Sequence, residues 1–189
     1  MNSAEDIASI LSHEFSTLAF AHEMFPMLTD WGVKDEHIYI HSLGCNYLSA
    51  LGRHAGFWAM NEFPVRIENG RYIRPDVVWW ARDSGDLGLV GEFERFVPGQ
   101  ERKLFEKARN LMETYQALGR RPLVLLLMAW TVAGTDLSGT WAARSVAFEG
   151  CQLNGGERIP GLESTRCFVQ ACAVFGQLGN EQRLLSVQL

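Results

Sequence analysis

The sequence predicts an α/β fold, and three observations carry that prediction. Apolar residues recur at helical spacing near the N-terminus and again over 101–118. Between 63 and 97, runs rich in β-branched and aromatic residues alternate with short clusters of turn residues. A non-alternating apolar run, "RPLVLLLMAW" at 121–130, then follows the second helix and reads as a strand buried on both faces. The predicted order is helix, three strands, helix, strand.

The first helix is expected over residues 3–30. Ser3 is its N-cap, Glu5 and Asp6 sit in the first turn, and "DWG" closes it. Ile7, Leu11, Phe15, Leu18 and Phe25 form its apolar stripe. At ~100° per residue Glu14 falls inside that stripe, where a carboxylate is out of place. Residues 37–43 read as a short strand, and 47–60 as a weaker helix interrupted by Gly52 and Gly56.

Three antiparallel strands follow. "FPVRI" at 63–67 leads through the turn "ENGR" into "YIRPDVVWWA" at 72–81. The turn "DSGD" then leads into "LGLVGEFERFV" at 87–97, which Pro98 and Gly99 stop. The helix over 101–118 buries Leu104, Ala108, Leu111, Tyr115 and Leu118, flanked by Phe105 and Met112, and Gly119 ends it. Beyond the buried strand, 136–148 reads as helix and 150–164 as a glycine-rich loop. Residues 166–189 read as a closing β-hairpin around "GQLGN".

Length and composition agree with one domain over 1–189, its core spanning about 5–130. The 189 residues are 47% hydrophobic and 21% charged, enough for a sizeable core, and 6 Trp and 11 Phe argue against disorder. A net charge of -5 supplies no global field toward nucleic acid, so any such contact needs a local basic patch. Cys45, Cys151, Cys167 and Cys172 form no C-x-x-C pair and read as free thiols in a reducing compartment. The longest strongly apolar run, 123–130, is far short of the ~20 residues of a membrane span. The N-terminus lacks the basic start and apolar stretch of a signal peptide, so a cytoplasmic location without membrane association is expected.

Asp76, Glu92 and Glu94 stand inside the most strand-like segments. Side chains two apart share a face of a strand, so Glu92 and Glu94 project together and Phe93 opposes them. The turn around Ser84 and Gly85 folds position 76 onto roughly position 93, which brings Asp76 to the glutamate pair. Three clustered carboxylates repel unless neutralised, and a hard divalent cation with oxygen ligands does that. The plainer reading is a solvated strand edge, with the acids paired to Arg74, Arg82 or Arg95.

"RPD" ending one strand, "GEFER" on the next, then a lysine-bearing helix and a buried strand, resembles the PD-(D/E)xK nuclease superfamily. The resemblance implies a restriction-endonuclease-like αβββαβ core, a central mixed sheet flanked by helices. It implies Asp76, Glu92 and the backbone carbonyl of Phe93 as ligands of Mg²⁺ or Mn²⁺, and a homodimer that cuts both strands of DNA. Glu94 stands where the family has its lysine. Some members carry glutamate there, and in others the lysine has migrated to the following helix, where Lys107 and then Lys103 are the candidates. Lys107 flanks the apolar stripe and can bring its ammonium to the strand ends. The resemblance also gives Glu14 a role as a further metal ligand. Arg66, Arg71 and Arg74, on or near the hairpin, are candidates for holding nucleic-acid phosphates.

Other templates fail: the sequence has no phosphate loop, no G-x-S-x-G elbow and no H-E-x-x-H helix. No histidine is assigned to Cys45, so it is not read as a nucleophile. His13, His22, His37, His41 and His54 receive no metal or catalytic role, with His22 read as a core histidine. Two functions compete with the nuclease. One is a nuclease-fold module that has lost catalysis and serves binding or assembly, favoured by the missing motif lysine. The other is an unrelated α/β interaction protein presenting Trp79, Trp80 and Phe96 to a partner.

Overall fold

A seven-stranded mixed sheet runs through the chain, with helices against both of its faces. The computed structural model of the protein describes residues 3–34, 37–67, 70–153 and 156–189. The strands are β1 (Val33–Lys34), β2 (Phe57–Asn61), β3 (Val65–Arg66), β4 (Tyr72–Ile73), β5 (Val77–Ala81), β6 (Leu87–Arg95), β7 (Val124–Val132), β8 (Cys151–Gln152), β9 (Arg158–Ile159), β10 (Cys167–Leu178) and β11 (Glu181–Gln188). The helices are α1 (Ala4–Thr17), α2 (Ala19–Met24), α3 (His37–His54), α4 (Glu101–Ala117) and α5 (Arg144–Glu149). The main sheet has the order β1-β11-β10-β7-β6-β5-β2, while β3–β4 and β8–β9 are separate two-stranded ribbons.

Strand β6 runs parallel to β7, and β7 parallel to β10; the remaining pairs in the main sheet are antiparallel. A parallel neighbour requires a crossover, and α4 supplies it between β6 and β7. Side chains of β7 therefore alternate between two buried layers. Val124, Leu126, Met128 and Trp130 pack with Ile7, Leu11, Tyr47 and Leu48 of α1 and α3. Leu125, Leu127 and Ala129 pack with Leu104, Ala108, Leu111 and Tyr115 of α4. Both faces are covered, which is why β7 carries no polar alternation.

The N-terminal helix expected over 3–30 is broken into three pieces. Ser3 caps α1 in a full capping box with Asp6, but Leu18 adopts a left-handed conformation, φ 52°, and ends it. Helix α2 starts anew at Ala19, and a π-helical turn, Met27–Trp31, follows Pro26. The expected strand at 37–43 is the start of α3, and the expected helix at 47–60 divides into the rest of α3 and strand β2. Glycines read as interruptions are close-packing points. A Cβ at Gly44 would overlap the Phe93 ring, and one at Gly52 would come within 2.6 Å of Trp79. Their absence of a side chain lets α3 lie flat on the sheet.

The three-strand meander exists with a different first member. Strand β2 pairs with β5, and β5 with β6, whereas residues 65–66 pair with 72–73 outside the main sheet. The segment 72–81 divides at Pro75, which has no N–H for a ladder. Residues 68 and 69 of the expected turn, and 154–155 of the expected loop, lie outside the described residues. The 136–148 helix is a 3₁₀ turn, Ser138–Ala143, followed by α5. The closing hairpin, β10 and β11, is no appendage, since β10 lies between β11 and β7 in the sheet interior. His22, read as a core histidine, is exposed and faces Asp30 at 3.5 Å. Trp79 and Phe96 are buried in the core rather than offered to a partner. Among the described residues, no helix is long and apolar enough to cross a membrane.

Candidate active site

The β5–β6 ladder stops at Val77↔Gly91, and β6 continues alone on that side to Arg95. Asp76 is the residue just before β5, so its carboxylate meets the freed edge of β6. The Phe93 backbone N–H donates to Asp76 Oδ2 at 2.8 Å. An extended residue presents its N–H and C=O to the same strand edge, so the Phe93 carbonyl faces the side on which Asp76 sits. The register expected from the turn at Ser84 and Gly85 is off by only one residue, the ladder slipping at Trp79/Trp80.

Glu92 and Glu94 point to the α4 face, as strand alternation requires. Helix α4 answers with Lys107, whose Nζ lies 2.6 Å from Glu92 Oε2, 3.7 Å from Asp76 Oδ2 and 3.9 Å from Glu94 Oε2. Phe93 turns to the opposite layer, under Gly44 of α3. From that side His41 reaches the same aspartate, Nε2 to Oδ2 at 3.6 Å, and Cys45 Sγ lies 3.6 Å from His41 Nδ1. The cluster thus sits where two strands part, approached from both faces of the sheet.

Charge is unevenly stored among these groups. Burial and the neighbouring charge of Asp76 push Glu92 up to about 8, although Lys107 pulls the other way. Asp76 is also buried, but the His41 hydrogen bond, the Lys107 charge and the Phe93 amide hold it below the usual carboxylate range. His41 is raised by its hydrogen bond to Asp76, against the effect of burial. Lys107 is raised by Glu92 and Asp76, which outweigh its own burial. Near neutrality one of the two buried acids holds a proton and the other is ionised, as expected of carboxyls that cannot both be charged at close range.

That arrangement fits a hard cation. Asp76, Glu92 and the Phe93 carbonyl are all oxygen donors, the kind a hard cation takes, with the Lys107 ammonium already 2.6 Å from Glu92. Glu94 is half-buried, with its Oε2 3.9 Å from Lys107 Nζ.

The residues expected from sequence are distributed as follows. Asp76, Glu92, Phe93, Glu94 and Lys107 converge. Lys103 is exposed and lines an adjoining groove of about 650 Å³ with His41, Glu94, Arg95, Gln100 and Trp130. Glu14 is elsewhere in its bonding. Its carboxylate accepts the N–H groups of Phe20 and Ala21, both at 2.9 Å, and the Tyr47 hydroxyl at 2.8 Å. It caps α2 from within the core, which explains an acid on an apolar stripe. Arg66 and Arg71 line a second groove of about 810 Å³ against α4, where Arg71 pairs with Glu113 at 3.5 Å. Arg74 is exposed beside Pro75.

His41 and Cys45 were missed as site residues. They stand one helical turn apart on α3, and the sequence also carries His37 four positions before His41. The expectation that no histidine stands at metal-ligand spacing is wrong, since His37 and His41 lie four residues apart in the sequence. Comparison of the chain with protein-family models, curated proteins and solved structures found no match in any of the three.

Proposed function

We propose that the chain is a metal-dependent phosphodiester hydrolase with a restriction-endonuclease-like core, and that DNA is its first candidate substrate. The carrying observation is the meeting of two buried acids, Asp76 and Glu92, with the Lys107 ammonium where β5 and β6 part. The order α3, β2, β5, β6, α4, β7 supports the reading, since it is helix, three strands, helix, strand. The first helix of that order is α3, so the residue it brings to the acids is His41 and not Glu14.

Asp76, Glu92 and the Phe93 carbonyl would hold Mg²⁺ or Mn²⁺. Such an ion supplies Lewis-acid charge to a phosphate oxygen and lowers the pKa of a bound water. The chain's own residues do the rest. Asp76, fixed by the Phe93 amide, keeps its orientation without rearrangement. Glu92 would give up its proton to serve as a ligand. Lys107 places a positive charge against developing negative charge on the phosphate, the part played by the family lysine that Glu94 has replaced. Glu94, at the groove wall, is positioned to orient or deprotonate the attacking water. Lys103 and Arg95 border the same groove, where their charge favours a phosphate backbone.

One observation favours the alternative of a module without catalysis. Lys107 itself stands among the carboxylates, as a purely structural ion pair would. The two readings separate in one experiment. The protein is incubated with supercoiled DNA, linear DNA and RNA in Mg²⁺ or Mn²⁺, beside Asp76→Ala and Glu92→Ala. Cleavage that both variants lose supports the hydrolase. Metal binding without cleavage favours the module, and neither result leaves an α/β interaction protein.

A further inference from the structure

The proposed hydrolase uses Asp76 but has no place for the thiol and imidazole that lie against it. We propose that His41, Cys45 and Asp76 form a second cation site, selective for a thiophilic divalent ion of the zinc class. Its occupation draws Asp76 away from the oxygen-lined site, a consequence that rests on the hydrolase reading.

Placement carries the argument. Cys45 Sγ and His41 Nδ1 are 3.6 Å apart, and His41 Nε2 is 3.6 Å from Asp76 Oδ2. One donor atom from each of the three residues lies within 4.8 Å of the other two. Donors around a tetrahedral zinc ion stand roughly 3.5 Å apart, given bond lengths of about 2.0–2.3 Å; the two short contacts use opposite ring nitrogens, so the imidazole must turn to bring a single nitrogen to both Cys45 and Asp76. Helix α3 holds two donors on one face, one turn apart, and Phe93 holds the third by its amide. His41 also forms part of the wall of the 650 Å³ groove, which gives an ion a way in.

The donor types exclude magnesium and select softer ions. Sulfur and imidazole suit zinc, cobalt or copper, while magnesium keeps to oxygen and water. A nucleophilic Cys–His–Asp relay is the competing use of the same atoms. It needs an accessible thiolate, whereas Cys45 is buried, and burial and the Asp76 charge keep its thiol protonated. A bound cation supplies the charge that makes the thiolate tolerable.

Cobalt(II) is the probe, added to the 189-residue chain without nucleic acid. The expected result is a near-ultraviolet thiolate-to-cobalt charge-transfer band that Zn²⁺ abolishes and Mg²⁺ does not. The band disappears in Cys45→Ser, which retains Cys151, Cys167 and Cys172, and circular dichroism checks that this variant folds. Zinc affinity falls by more than about 100-fold, beyond the cost of losing a mere outer partner of a metal ligand. Should Cys45→Ser not fold, His41→Asn gives the same reading. Absence of the band, or its persistence in the variants, overturns the proposal. Because the band is read without substrate, a lack of hydrolysis does not touch it. If Mg²⁺-dependent cleavage is observed, Zn²⁺ inhibits the wild type and spares Cys45→Ser; inhibition of both equally refutes the antagonism.

Discussion

Lys107 Nζ stands 2.6 Å from Glu92 Oε2 and ties the crossover helix α4 to the middle of β6. Glu92 is only 1% exposed, so the contact is made largely out of water. A charge in that setting is costly alone and tolerable in company.

Lys107→Met removes the company. The expected loss is about 3 kcal/mol, the low end for breaking a buried pair, at pH 9, where Glu92 is ionised in the wild type. Urea unfolding at pH 9 measures it, and the loss should shrink at pH 7, where Glu92 already holds a proton. Adding Glu92→Gln to Lys107→Met should recover most of the loss, since the stranded acid is gone. A double variant as unstable as the single would show that Lys107 acts through packing alone.

The metal-free protein should lose stability as pH rises between about 4.5 and 8. The folded chain holds the Glu92 proton up to about 8, against an ordinary value of 4.5, so the folded state binds more protons than the unfolded one across that window. Stability then falls with pH, by at most about 1.4 kcal/mol per pH unit. Asp76 has the opposite sign. Its folded value is lowered, so its contribution is present above its ordinary 3.8 and is lost on acidification. Thermal midpoints across pH 4–9 test the window, and Glu92→Gln should lose most of the slope, leaving the part due to the raised His41.

Adding Mg²⁺ should reverse that decline. Binding to the folded chain alone stabilises by about 2.7 kcal/mol at a concentration 100 times the dissociation constant. The effect should grow with pH, since the ion replaces the Glu92 proton. Thermal shift with and without a chelator reads it, and Asp76→Asn and Glu92→Gln should each abolish it. A shift retained in both variants would place the ion elsewhere.

Glu14→Gln should weaken the fold and spare the site. The variant leaves one of the Phe20, Ala21 and Tyr47 donors poorly paired in the core, at about 1–3 kcal/mol. Chemical denaturation gives the cost. The magnesium-induced thermal shift should match that of the wild type, and a lost shift would restore Glu14 as a ligand.

Much of the fold was legible in local pattern. The α4 stripe of Leu104, Ala108, Leu111 and Tyr115 is buried as its spacing requires, and the uniformly apolar β7 lies covered on both faces. The Asp76–Glu92–Glu94 cluster was legible too, because the β-turn at Ser84 and Gly85 fixes which residues face each other across a short hairpin. Errors fell where local preference was overruled at a distance. The alternation of "HIYIHSL" suits a strand, but α3 forms because Gly44 and Gly52 let a helix settle on Phe93 and Trp79. Nothing near residue 57 announces that β2, rather than 63–67, will take the open edge of β5.

By itself the sequence determined the α/β class, the crossover helix and the acids of one hairpin, since each depends on spacing within a few dozen residues. Only the tertiary structure decided that Glu14 caps α2 and that His41 and Cys45 close on Asp76 from the other face. Those outcomes turn on how helices seat against the sheet. Seating is set by side-chain shape at contacts far apart in the chain, which no local periodicity encodes.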